Sequence, residues 1–203
     1  MADAAFWDSR YAGGDYAYGE APNAFLASLT YAPGGRALVP GDGEGRNGVF
    51  LAERGLKVET LDLSGKGVAK ARRLAAARSV VLDARQADVL AWDWPVAVYD
   101  VIALIYLHLP APARRALHAQ ALAALKPGGR IVLEAFTPAQ LEKQAAGARG
   151  GPREAGLLYS VEDLRADFAG AEINLLEEIE AEMREGALHV GTSAVVRLVA
   201  RKV

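Results

Sequence analysis

The sequence predicts an α/β fold in a single domain: a mostly parallel sheet of seven strands, helices on both faces, and an antiparallel hairpin at the C-terminal end. Three observations carry this. Short apolar runs alternate with segments of helical period five times between Ala37 and Phe136, and that alternation gives parallel strands joined by helical crossovers. The run Val101–Leu107 is continuously apolar, as a strand buried on both faces requires. The tail changes to period two, with one series from Ile173 to Met183, a second from Leu188 to Ala200, and Glu185-Gly186 between them; that is a hairpin pattern.

The elements follow in order. Residues 1–20 mix Phe6, Trp7, Tyr11, Tyr16 and Tyr18 with Gly13, Gly14 and Gly19, and read as a short helix and a loop packed on the body. Residues 1–35 form a cap or lid, 36–136 a ligand-binding core, and 137–203 a loop, a helix and the terminal hairpin. Ala37–Pro40 is the first strand. Asn47–Arg54 is helical, with Gly55 as its stop. Lys57–Leu63 is the second strand, and Ser64 caps a helix from Gly65 to Ala77. Val80–Gln86 and Asp100–Tyr106 are the third and fourth strands. Pro112–Leu125 is a helix with proline in its first turn. Lys126-Pro-Gly-Gly129 is a turn and Arg130–Phe136 the fifth strand. Gln144–Gly156, with glycines at 147, 150, 151 and 156, reads as a mobile loop.

Composition narrows the function. Of 203 residues, 23 are basic and 25 acidic, so the net charge of −2 argues against nucleic acid as the main partner. Cysteine is absent, which removes disulfides, thiolate nucleophiles and zinc–thiolate sites. His108, His118 and His189 are too scattered for a metal motif. The N-terminus lacks a basic, apolar leader, and the longest apolar run is too short to cross a bilayer. A cytoplasmic protein without membrane or nucleic-acid partners, acting as a monomer or homodimer on a small molecule, is the expectation.

The chemistry concentrates at Gly41-Asp-Gly-Glu-Gly45, directly after the first strand. Glycines there let the backbone approach a ligand, and the helix that follows turns its amides toward it. Asp62, at the end of the second strand, suits a pair of ribose hydroxyls. Arg46 and Asn47 open the helix and stand near the same ligand. The open end of a parallel sheet also exposes Ile105 and Tyr106, which should border the crevice at the switch point. His108 has the intrinsic pKa of a general base, with Tyr106 beside it as a second catalytic candidate; packing of His108 against Leu109-Pro110 is the favoured alternative. His118 reads as a surface residue; Arg184 and His189 flank the terminal hairpin turn, where they could reach a substrate, with surface charge the favoured account; Lys66, Lys70, Arg72 and Arg73 read as a solvated helix face. Gly43-x-Gly45-x-x-Gly48, with Asp62 nineteen residues past Gly43, also satisfies the dinucleotide fingerprint, which leaves a nicotinamide cofactor open.

Gly41-x-Gly-x-Gly45, Asp62, Gln86-Ala-Asp88-Val89 and Leu125-Lys-Pro-Gly-Gly129 together resemble the class I S-adenosylmethionine-dependent methyltransferases. Trp7-Asp-Ser-Arg-Tyr11, Tyr18-Gly-Glu-Ala-Pro-Asn23, Gly45-Arg-Asn47 and Glu185-Gly-x-x-His189-x-Gly191 resemble the small bacterial members related to tellurite-resistance methyltransferases. The resemblance implies a Rossmann-like fold and S-adenosyl-L-methionine as cofactor. It implies Gly41, Gly43, Gly45 and Asn47 at the loop, Asp62 and Leu63 at the ribose, Asp88 and Val89 at the adenine, and Ile105 along the crevice. Arg10 is the candidate for the cofactor's carboxylate, and the aromatic residues near it are candidates for a lid over the sulfonium. Most family members carry an acid two residues before the first loop glycine; this chain has Val39, with Asp42 or Glu44 as candidate substitutes. That departure keeps a non-catalytic cofactor-binding protein as an alternative.

Overall fold

The structure, a computed structural model, describes residues 3–203. Strands β1 (Arg36–Pro40), β2 (Lys57–Asp62), β3 (Leu82–Gln86), β4 (Tyr99–Ile105), β5 (Leu125–Phe136), β6 (Glu172–Glu185) and β7 (His189–Arg201) form one sheet of order β3-β2-β1-β4-β5-β7-β6. The pairings through β5 are parallel; β7 runs antiparallel to both β5 and β6. The seven-stranded Rossmann-like expectation holds.

Alternation along each strand divides the core. Leu38, Ile102, Leu104, Ile131 and Leu133 face α5 (Ala111–Ala124) and α7 (Val161–Asp167). Ala37, Val39, Val101, Ala103 and Val132 face α2 (Ala24–Ser28) and α3 (Arg46–Glu53). Both faces of the central strands are therefore dry, which explains their unbroken apolar sequence. Val39 is 1% exposed in the second cluster, so the position that carries an acid in the family here points into hydrocarbon.

Local chemistry fixes the helix starts. Asp3 accepts the Phe6 amide to cap α1 (Ala4–Arg10), and Ser64 accepts the Gly67 amide to cap α4 (Gly65–Ala77). Ser160 and Asp163 form a reciprocal capping box at α7. The remaining helix, α6 (Gln140–Ala145), lies against β7.

Several boundaries differ from the sequence reading. The Lys126–Gly129 run belongs to β5, whose pairing with β4 breaks register after Tyr99; Gly128 has φ +78°, so the expected turn is an irregularity within a strand. The third strand starts at Leu82, after Ser79 has taken a left-handed conformation at the end of α4. The alternation of β6 shifts at a bulge between Ile173 and Leu175, and Glu177, expected inward, is exposed. The Gln144–Gly156 segment is fastened rather than free. Arg149 and Val190 exchange both backbone hydrogen bonds, and the Gln144 side chain donates to the carbonyls of Gly150 and Gly151.

Candidate functional site

Strand β1 ends at Pro40, and the chain must turn sharply toward α3. Gly41, Gly43 and Gly45 all have positive φ, at 70°, 58° and 90°. At Gly45 a side chain would also meet Ala71 of α4, whose Cα lies 2.6 Å from the ideal Cβ position. The turn is anchored from β2: the Gly41 amide donates to the Leu61 carbonyl at 2.7 Å. Asp62 then accepts the Gly43 amide on one carboxylate oxygen and the Ser64 amide on the other, each at 2.8 Å. One side chain therefore holds the glycine turn against the start of α4. Burial raises the Asp62 pKa against the pull of these two amides.

Asp42 turns inward beneath the same loop. One carboxylate oxygen accepts the Gly48 amide at 3.1 Å, and the other has no partner. Burial in that position pushes its pKa up to about 8, so the group is largely neutral near physiological pH.

A strap formed by residues 3–23 crosses the carboxyl ends of the strands. Asp8 takes the Ser64 hydroxyl and the Lys66 amide. Glu44 accepts the Ala17 amide at 2.7 Å and pairs with Lys70 at 2.7 Å, while Lys70 also donates to the Asp15 carbonyl. Lys70, expected in solvent, is thus a buried tether for the strap. Tyr11 is buried against the turn, its hydroxyl 2.6 Å from where a Gly43 Cβ would stand. Leu107 covers Gly41 in the same way. Arg10 lies at the surface, donates to the Tyr18 hydroxyl at 2.8 Å, and sits over the rings of Phe6 and Trp7. The aromatic residues of the strap lie packed over the glycine turn and one another.

The other half of the crevice begins at Tyr106, which leaves β4 with φ +53°. A non-glycine residue in that region marks a position over-determined by its surroundings. Here they are a buried polar network. The Tyr106 hydroxyl and the Asn23 amide both donate to Glu134, which also pairs with Arg197 at 2.6 Å. The Asn23 backbone amide donates to the Asn47 side chain. Arg46 pairs with Glu185 at 2.8 Å, and Glu185 accepts from His189 at 2.9 Å. His189, expected at the surface, is 6% exposed; Arg184, beside it, is exposed. Glu134 carried no recognisable signal, because it is an isolated polar residue far in sequence from its partners, while Asn23 and Glu185 stood out only as members of motifs in the resemblance.

His108 is held by Leu157, Phe136 and Tyr159, partners other than the Leu109-Pro110 pair of the alternative reading. One ring nitrogen donates to the Leu157 carbonyl at 2.6 Å, and the other accepts the Phe136 amide at 3.2 Å. Burial lowers its pKa to about 4. His118 is the clear correction. It is 2% exposed and bonds Asp167, which also binds Arg114, so these three groups clamp α5 to α7.

The predicted positions converge at the carboxyl ends of β1, β2 and β4. Asn47 and Ile105 are buried there, and Leu63 follows Asp62, its carbonyl taken by Gln86. Asp88 lies two residues past β3, exposed, and accepts the Leu90 amide, while its neighbour Val89 is buried. The Ala87 amide donates to the Asp62 carbonyl, which keeps this segment beside the end of β2.

Reversed strand β7, inserted between β5 and β6, sets this sheet apart from an all-parallel dinucleotide sheet. With the glycine turn and Asp62 it gives the seven-stranded Rossmann-like fold that S-adenosylmethionine-dependent methyltransferases share. Residues 37–129 match the family described as a methyltransferase domain. No curated protein sequence matches the chain significantly. Among solved structures, one described for the conversion of a disulfide bond into a thioacetal group during echinomycin biosynthesis is 23% identical, covers 98% of this chain and 89% of its own, and has a TM-score of 0.77. An S-adenosylmethionine-dependent methyltransferase from Methanosarcina mazei is 16% identical over 90% and 99%, with a TM-score of 0.71. TehB from Haemophilus influenzae is 14% identical over 98% and 67%, with a TM-score of 0.72. The matched domain and these neighbours support S-adenosylmethionine as the cofactor. The turn fits it: glycines without room for a Cβ, and a carboxylate at the end of β2. Among the described residues no helix is long and apolar enough to cross a membrane.

Proposed function

We propose that the protein transfers a methyl group from S-adenosylmethionine to a small-molecule acceptor. The observation that carries this is the glycine turn held by Asp62 at the switch point of the sheet. Bound there, the cofactor supplies an electrophilic methyl on a sulfonium. The protein's part is alignment and exclusion of water. Gly41, Gly43, Gly45 and Asn47 border the methionine portion, Asp62 and Leu63 the ribose, and Asp88 and Val89 the adenine. Ile105 lines the crevice, and Arg10 reaches the carboxylate once the strap rearranges. Tyr106 orients the acceptor rather than deprotonating it, since burial and the neighbouring carboxylates hold its pKa well above the usual value. His108 fixes the loop after β4, because both its nitrogens are engaged by backbone. A small acceptor suits a strap of about twenty residues with no inserted domain, and the echinomycin-related neighbour is described for a small-molecule reaction.

A dinucleotide fits less well. Its pyrophosphate needs the amides at the start of α3, and the Gly48 amide is already taken by Asp42. Calorimetry with S-adenosylhomocysteine, S-adenosylmethionine and NAD tests the reading. Binding of the two adenosyl ligands and none of NAD is expected; NAD binding without the others would reverse it.

A further inference from the structure

We propose that His189, held by Glu185, is the catalytic base that takes the proton of the methyl acceptor; this rests on the methyltransferase reading above. Four observations support it. The His189 Nδ1 donates to Glu185, which leaves the Nε2 lone pair without a hydrogen-bond partner among the described residues. Glu185 is itself fixed by Arg46 at the first residue of α3, beside the glycine turn. The imidazole stands against Tyr106, the switch-point residue, at a ring separation of 4.7 Å, and against Tyr18 of the strap at 4.6 Å. No other histidine offers a free nitrogen at this crevice, since both nitrogens of His108 are bonded and His118 lies in the α5–α7 clamp.

The charged and titratable groups facing His189 are Glu185 from β6, Arg46 from α3, Glu134 from β5, Tyr106 and His108 after β4, and Tyr18 from the strap. Burial lowers the His189 pKa and Glu185 opposes that shift. The resting ring is accordingly neutral near physiological pH, the form a base requires. As the acceptor heteroatom bonds to the methyl carbon, the carbon–sulfur bond breaks and sulfur keeps the electron pair. The heteroatom's proton passes to Nε2, and the resulting imidazolium faces the Glu185 carboxylate until the strap opens to water. The acceptor class follows: a nucleophile that carries a proton at working pH, such as a phenol, an aliphatic thiol or an amine. A thioether or a preformed anion has no proton for the pair to take.

Two measurements test this. Diethyl pyrocarbonate acylates neutral imidazole at an open nitrogen; peptide mapping should show His189 modified well before His108 and His118, with Glu185→Gln slowing it. Methyl transfer is then measured on a panel of phenols, aliphatic thiols, thiophenols and amines. His189→Gln should lower transfer to acceptors protonated at the assay pH by about 100-fold or more, and to those already ionised by less than about threefold. Its affinity for S-adenosylhomocysteine should stay within about threefold of the parent. An unreactive His189, or an equal loss on ionised and protonated acceptors, overturns the assignment. Absence of transfer by the unaltered protein to the whole panel, with S-adenosylhomocysteine bound, overturns the enzymatic reading itself.

Discussion

The two halves of the crevice are built in opposite ways. On the β1–β2 side the grip comes from backbone: three glycines at positive φ, the amides of Gly43 and Ser64, and one carboxylate that ties them together. On the β4–β7 side it comes from side chains. Asn23, Arg46, Tyr106, Glu134, Glu185, His189 and Arg197 reach one cluster from the strap, α3, β4, β5, the hairpin and β7. In the proposed function the first half takes the invariant cofactor, largely with backbone groups. The second has only side chains to distinguish one acceptor from another, and it stakes much of the local stability on their mutual satisfaction.

The largest expected effect breaks the second half. Glu134→Ala leaves Arg197 without its partner in a buried site, and unfolding in urea should show a loss of about 3–5 kcal/mol. Its milder relative Glu134→Gln should lower stability while leaving the Kd for S-adenosylhomocysteine within about threefold; a large loss of affinity would merge the two halves into one. Acid should act next. A histidine whose folded pKa is depressed contributes stability that is complete above its unfolded value near 6.5 and is lost as pH falls through the folded value. For His108 that window runs from about 6.5 to about 4 and is worth no more than about 3 kcal/mol. His118 and His189 are lowered in the same direction. Denaturant midpoints measured across this range should fall toward acid, and His108→Gln should flatten part of the slope. Asp62→Ala sharpens the first half: calorimetry should show adenosyl-ligand binding weakened by about 1–3 kcal/mol, and unchanged affinity would remove its ribose role. The smallest effect is Lys66→Ala, an exposed side chain on α4, which should leave the thermal midpoint equivalent to within about 0.5 kcal/mol.

The same contrast explains what was readable beforehand. The glycine turn, Asp62 and the Ser64 cap are contiguous or nearly so, and each residue type states its backbone conformation. They were legible one by one. Lys70, His118 and His189 were misplaced for a common reason: a charged or titratable residue looks solvated until its partner is known. Their partners Glu44, Asp167 and Glu185 differ in how far along the chain they lie, yet in each case only packing makes the pair buried. The fastened Gln144–Gly156 segment has the same origin, since its bridge to Val190 crosses to another element.

Hydrophobic period and glycine placement, which act over a few neighbouring residues, sufficed to give the sheet, its terminal hairpin and the glycine turn from sequence. Tertiary structure alone decided which buried charges meet, that Tyr106 takes a left-handed conformation, and that the strap lies shut with Tyr11 on the glycines. Those outcomes depend on desolvation, and a group's solvent exposure is a property of everything folded around it rather than of its neighbours along the chain.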